Sequence, residues 1–402
     1  MRIALVVHRY GADILGGSET HCRVFAERLS RDHTVEVLTT TAADYVTWAE
    51  GYPAGATNVN GVLVRRFRVS RKRDAVRFRD LCDLVFDSSH ERADEEAWVE
   101  ENGPRTPDLL EYLQRHGASY DAIIAFSFRY WTAYHACLAF PEKVVPFPTA
   151  EADAAVQLTV LQERLTAAPA ILYNTVEERA MLQRLCPRPL PEGEVVGFPI
   201  DPPGSADPAA FCREYGQTRP FALYLGRIDT NKGCRELFDY FLWYASRRDS
   251  SLDLLLAGKE AMAVPPHRRV RYLGFLSESA KQDALAAATC LVMPSPYESL
   301  SIVLLEAWNR GIPTLANGHC DVLRGQTCRS GGGLFYETRD DFADCLDALT
   351  AHAALREALG RSGQRFVSRE YSWAVIRARV ERLLLKVQQR AGRSTTPESS
   401  VG

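Results

Sequence analysis

The feature that most constrains this chain is an alternation of short apolar runs with helical segments, and it occurs twice. "RIALVV" precedes residues 19–30, where Cys22, Phe25, Ala26 and Leu29 share one helical face; "TVEVLTT", "YDAIIAF", "KVVPFP" and "AILYN" follow. Strand, helix, strand in succession predicts parallel sheets wound right-handedly. Residues 194–208, "EVVGFPIDPPGSADP", interrupt the pattern with Pro, Gly and Asp and read as a linker. The alternation then restarts with "FALYLG", "LDLLLAG", "VRYLGF", "TCLVMP" and "IPTLAN". At 402 residues, 46% of them hydrophobic, the chain can bury two cores. The fold class is therefore α/β, two Rossmann-like doubly wound domains, with ligands expected at the carboxyl ends of the strands, in a central cleft that the domains face.

The expected boundaries are 1–198 and 199–370, followed by an amphipathic helix over 371–390. That helix is capped by Ser372, carries Trp373, Ile376, Val380, Leu384 and Val387 at helical spacing, and is expected to cross back to the N-terminal domain. Residues 391–402, "AGRSTTPESSVG", have no apolar content to pack and read as a disordered tail.

A net charge of −3 gives no reason to expect a nucleic-acid partner. The ten cysteines include no C-x-x-C pair and read as reduced, mostly buried side chains of a cytoplasmic protein. No run approaches eighteen apolar residues, so nothing in the sequence reads as a membrane span or a signal-peptide core.

Three stretches carry candidate chemistry. In "PSPYESLSIVLLEAW", Glu306 lies inside an apolar helical run, where a carboxylate is costly unless it meets a partner, and Glu298 lies eight residues earlier in the loop after a strand. Ser299, Leu300 and Ser301 lead into that helix, whose free N–H groups suit an oxygen-rich or anionic ligand. In "LYLGRIDTNKG", Arg227 and Lys232 share a strand-to-helix loop suited to a diphosphate. Near the N-terminus "GADILGGSET" almost spells a nucleotide-hydrolase phosphate loop, but Gly17 stands where that loop needs lysine.

"GRIDTNKG" followed by "YESLSIVLLE" resembles the C-terminal half of the retaining glycosyltransferases of family four (glycosyl transferases group 1), which have the two-Rossmann GT-B architecture. "GGSE", "VVGFPID", "YLGFLSE" and "YSW" extend the resemblance along most of the chain. It implies that Arg227 and Lys232 hold the diphosphate of a nucleotide-sugar donor, that Glu298 contacts the sugar hydroxyls and that Glu306 bonds the ribose. The backbone at Ser299, Leu300 and Ser301 would cradle sugar and phosphate, Leu276 would lie against the base, and Gly16 and Gly17 would let the first loop approach the transferred group.

The function so implied is transfer of a hexose from a UDP- or GDP-linked donor to an acceptor hydroxyl with retention, in polysaccharide, glycolipid or glycosylated-metabolite synthesis. No cofactor and no metal is expected: the cations of the loop stabilise the leaving phosphate, and the chain has no D-x-D motif. Where many family members have a histidine near the reacting sugar, this chain reads "VVPFPTAEADAAV", which leaves Glu151 as either an acceptor-orienting base or a loop carboxylate. "SLS" replaces the family's more usual Gly-Phe-Gly, and Arg324 and Arg329, in the run 323–333, have no assigned role. Residues 65–80 carry eight basic residues against two acidic, either a solvated surface or a peripheral membrane contact for a lipid-linked acceptor. The alternatives are a nucleotide-sugar 2-epimerase of the same architecture and a catalytically silent sugar-nucleotide-binding scaffold.

Overall fold

The computed structural model describes residues 1–14, 16–248 and 251–394. It divides into two compact units, one made of Met1–Pro199 with the chain from Ile376 onward, the other of Ile200–Val375.

The first unit contains β1 (Arg2–Val6), β2 (Thr34–Thr40), β3 (Gly55–Val59), β4 (Val62–Phe67), β5 (Ala122–Phe126) and β6 (Val144–Phe147) in one sheet, ordered β3-β4-β2-β1-β5-β6. Every pairing is parallel except the β3–β4 hairpin. β5 and β6 are buried at every position, as expected for parallel strands covered on both faces. The hairpin is absent from the strand-helix alternation read above. Its signal was the Asn60-Gly61 dipeptide, whose residues have φ of 51° and 86°, the left-handed pair that a tight hairpin turn requires.

β7 (Ile171–Tyr173) and β8 (Gly193–Val195) pair separately and in parallel. β8 takes the first two residues of the stretch read as a linker, and the unit ends within that stretch, at Pro199. The last helix spans Trp373–Ser394 and buries Ile376, Val380, Leu384 and Val387. It therefore runs four residues into the stretch read as tail, and residues 395–402 lie outside the described residues.

The second unit holds β9 (Phe221–Leu225), β10 (Asp253–Ala257), β11 (Val270–Tyr272), β12 (Cys290–Met293), β13 (Thr314–Asn317) and β14 (Gly333–Tyr336), ordered β11-β10-β9-β12-β13-β14 and parallel throughout. Leu237, Phe238 and Phe241 of the helix Cys234–Arg247 pack with Leu254, Leu256 and Val292 in its core. Trp308 is fully buried, and its indole N–H lies 2.8 Å from the Gly332 carbonyl and 3.1 Å from the Thr314 hydroxyl. This contact ties the helix Ile302–Asn309, which carries Glu306, to the sheet edge beside it.

All ten cysteines are free thiols, six of them buried. Among the described residues no helix is long and apolar enough to cross a membrane.

Candidate functional site

In an open α/β sheet ligands bind beyond the carboxyl ends of the strands, at the point where the strand order reverses. In the second unit that point lies between β9 and β12, which pair directly. The loops that follow these two strands are the two carrying the candidate motifs.

The loop after β9 folds on its own side chains. Asp229 accepts from the Lys232 N–H at 2.8 Å and makes a close ion pair with Arg227, whose carbonyl accepts from the Tyr224 hydroxyl at 2.7 Å. Gly233 ends the loop with φ +73°, and a Cβ there would lie 2.1 Å from the carbonyl oxygen of Pro294. Glycine is thus required twice, for the left-handed turn and for the approach of this loop to the end of β12. No side chain caps the helix Cys234–Arg247 that follows.

The loop after β12 answers it. Glu298 accepts from the Lys232 ammonium at 2.8 Å, with side-chain exposures of 12% and 30% respectively. The two residues given separate tasks by sequence are therefore in direct contact across the switch point. Ser301 has φ +73°, a conformation that costs a non-glycine residue free energy and that concentrates at functional sites. It precedes Ile302–Asn309 without capping it, so this helix also offers first-turn N–H groups that no capping side chain occupies. Leu300 and Ser301 are buried, and the Leu300 carbonyl accepts from Gln326 at 2.5 Å.

Glu306 has the polar partner that its sequence context demanded, and it is Lys281, which sequence reasoning did not single out. Lys281, on the helix Glu278–Ala287, places its ammonium 2.8 Å from Glu306 Oε1 and 2.9 Å from Glu278 Oε2. Glu306 Oε2 is buried and has no hydrogen-bond partner. Burial pushes the Glu306 carboxyl above its ordinary range, against the pull of Lys281. Leu276 is 8% exposed, whereas its neighbour Phe275 is 68% exposed and is the apolar side chain that this loop presents to solvent. Arg324 pairs with Glu337 at 2.6 Å and lies over the Phe335 ring.

Gly16, Gly17 and Glu151 belong to the first unit. Gly16 caps the helix Gly17–Leu29 with an extended backbone, and a Cβ on it would lie 2.1 Å from the Glu19 carboxylate; at Gly17 a Cβ would meet nothing within 4 Å. A side chain at Gly16 would therefore have to displace the Glu19 carboxylate, whereas one at Gly17 would displace nothing. Glu19 is buried, with His8 Nε2 at 3.0 Å and Arg9 at 2.5 Å. Burial opposes its ionisation, but His8 and Arg9 outweigh that cost and hold the carboxyl far below the usual range. His8 stacks against Tyr130, with ring centroids 3.9 Å apart, so the loops after β1 and β5 meet at this unit's own switch point.

Glu151 follows β6 in a turn held from both sides. Thr149 (φ +49°) and Ser127 (φ +64°), at the ends of adjacent strands, bring their hydroxyls within 3.0 Å, and Arg129 pairs with Asp153 at 2.7 Å. The Ala150 N–H donates to Glu178 at 2.6 Å, and the Asn174 N–H donates to the other oxygen of that carboxyl, also at 2.6 Å. Burial pushes the Glu178 carboxyl up to about 8. The folded chain then keeps a proton there that the unfolded chain releases near pH 4.5, so this group's contribution to stability falls as pH rises from about 5 to 8. Urea unfolding of wild type and Glu178→Gln should therefore differ in pH slope by up to about 1.4 kcal/mol per pH unit over that window. Parallel slopes would show that Glu178 does not titrate there.

The basic stretch 65–80 is largely engaged by the protein. Arg65 pairs with Glu36, Arg68 with Glu50, Arg71 and Arg77 with Glu101, and Arg79 with Asp80. Arg66 and Arg73 donate to the carbonyls of Tyr10 and Asn102.

Residues 213–366 match the model of a family described as Glycosyl transferases group 1. Alpha-maltose-1-phosphate synthase of Mycobacterium tuberculosis is 30% identical over 199 residues, which cover 44% of this chain and 50% of that protein. The chain thus spans about half the length of this curated relative. The solved sucrose-phosphate synthase of Thermosynechococcus elongatus superposes with a TM-score of 0.70 at 16% identity, covering 98% of this chain and 100% of the other. The Anabaena protein HepE, solved in complex with UDP and glucose, gives 0.65 at 14% identity over 98% and 99%.

Proposed function

We propose that this chain, whose residues 213–366 match the model of glycosyl transferases group 1 and whose fold is GT-B, transfers a hexose from a nucleoside diphosphate sugar to an acceptor hydroxyl. The observation that carries the reading is the Lys232–Glu298 pair at the switch point, beside two helix N-termini without side-chain caps. A diphosphate is the ligand that such a place suits, since it meets a cation and outward N–H groups together.

In this reading Arg227, Lys232 and the first-turn N–H groups hold the diphosphate, Glu298 accepts from hydroxyls of the sugar, and Glu306 accepts from the ribose. The bond between the anomeric carbon and the phosphate oxygen breaks as that carbon bonds to the acceptor oxygen on the same face, which retains configuration. The acceptor proton passes to the leaving phosphate oxygen, with Glu151 orienting the acceptor. Negative charge grows on the phosphate during this step, where preorganised cations and N–H groups act most strongly. The charges of Arg227 and Lys232 meet it, so the step as proposed calls for no divalent cation.

The test is a thermal-shift panel of UDP, GDP, ADP and their hexose derivatives, followed by an acceptor screen with the stabilising donor. A ligand that binds the native state raises the melting temperature by mass action. Stabilisation by one nucleotide family, and turnover only with an acceptor present, is the expected result. Conversion of the donor without an acceptor would favour the epimerase, and no stabilisation by any nucleotide would overturn the reading. The anomeric configuration of the product, read by proton NMR, tests retention.

A further inference from the structure

We infer that Lys281 is a positioning residue of the nucleotide site, holding one oxygen of Glu306 so that the other remains as the acceptor for a ribose hydroxyl. The inference rests on the ribose reading of Glu306 given above. Its evidence is the asymmetry of the carboxylate: Oε1 is 2.8 Å from the Lys281 ammonium, whereas Oε2 is buried with no partner. A buried acceptor left unpaired costs stability, and a ligand hydroxyl removes that cost only on binding.

Lys281 is suited to this task because it is itself held. Its ammonium bridges Glu306 to Glu278 at 2.9 Å, and its side chain is 21% exposed. Of the charged groups around Glu306, Lys281 favours the carboxylate while Glu278 and burial oppose it. Arg310, which follows the helix Ile302–Asn309 directly, acts on Glu278 and donates to Gln282 at 2.7 Å. From the packed helix Ala353–Glu370, Gln364 donates to the Asn309 carbonyl, and Arg361 pairs with Glu357. Lys281 is thus the cation that keeps Glu306 an acceptor. Without it, burial and Glu278 both drive protonation.

The experiment is calorimetric titration of the nucleotide among UDP, GDP and ADP that binds most tightly, with its 2′-deoxy and 3′-deoxy counterparts, from pH 6 to 9. Wild type, Lys281→Met and Lys281→Arg are compared, each checked for a cooperative melt. Wild type is expected to bind the ribonucleotide about 10-fold or more tightly than one of its deoxy counterparts, the effect of a hydrogen bond to a charged group. Lys281→Met should lose most of that discrimination at pH 7 and regain it as pH rises and Glu306 ionises, whereas Lys281→Arg should keep it. A Lys281→Met protein that melts earlier yet discriminates as wild type does at every pH would overturn the inference and leave Lys281 a stabilising residue only. Failure of wild type to discriminate either deoxy nucleotide, or to bind any of the three, would instead overturn the ribose reading itself, and the inference with it.

Discussion

Lys232→Ala is expected to abolish the nucleotide-dependent rise in melting temperature and to lower kcat/KM at least about 100-fold, the cost of removing one preorganised donor to a charge that grows in the transition state. Two losses combine. The cation that would meet the proposed diphosphate disappears, and Glu298, held by it at 2.8 Å, loses that partner where the diphosphate would bind. Removing one partner of a half-buried pair costs more than the pair is worth, because the survivor keeps its charge. A Lys232→Ala, Glu298→Gln double variant should therefore recover part of the nucleotide affinity while remaining slow. Stabilisation by nucleotide and turnover within about threefold of wild type would remove Lys232 from the phosphate site.

Gly233→Ala should destabilise the second unit by about 3 kcal/mol, since the left-handed backbone alone costs an L-residue about 1–2 kcal/mol and a Cβ would lie 2.1 Å from the Pro294 carbonyl oxygen. That oxygen belongs to the backbone, so relief requires the loops after β9 and β12 to part, and nucleotide affinity should fall with stability. Gly17→Ala is the control: it has open space and a helical position, and should leave stability unchanged or raise it by about 0.5–1 kcal/mol. Any loss of activity in Gly17→Ala would then report the approach of a substrate to that loop. Denaturant unfolding of the two variants measures the contrast, and equal stabilities would contradict it.

The case of Glu306 shows how far sequence reasoning reached. A carboxylate inside "IVLLEAW" had to have a polar partner, and it has one. That the partner is Lys281 had no signal, because "SESAKQDAL" reads as an ordinary exposed helix start after Ser277. The same limit hid Glu178, whose "NTVEERA" context gives no hint that its carboxyl receives the N–H groups of Ala150 and Asn174. The hairpin at Asn60-Gly61 is different: the dipeptide that marks it stands in the sequence, between two strands that pair antiparallel.

By itself the sequence determined the parallel strands of the two sheets and the placement of Arg227, Lys232 and Glu298 in loops at strand ends. These follow from periodicity and turn chemistry, which act over a few residues. Only the tertiary structure decided which charges meet. Lys232 and Glu298 are 66 residues apart in the chain and Lys281 and Glu306 are 25 apart, and the strand order brings the first pair across one switch point. It also decided that Gly16 lies against the Glu19 carboxylate while Gly17 is left open. The physical reason is range: backbone preference is local, whereas ion pairing and steric exclusion depend on distances that exist only after the sheets have closed.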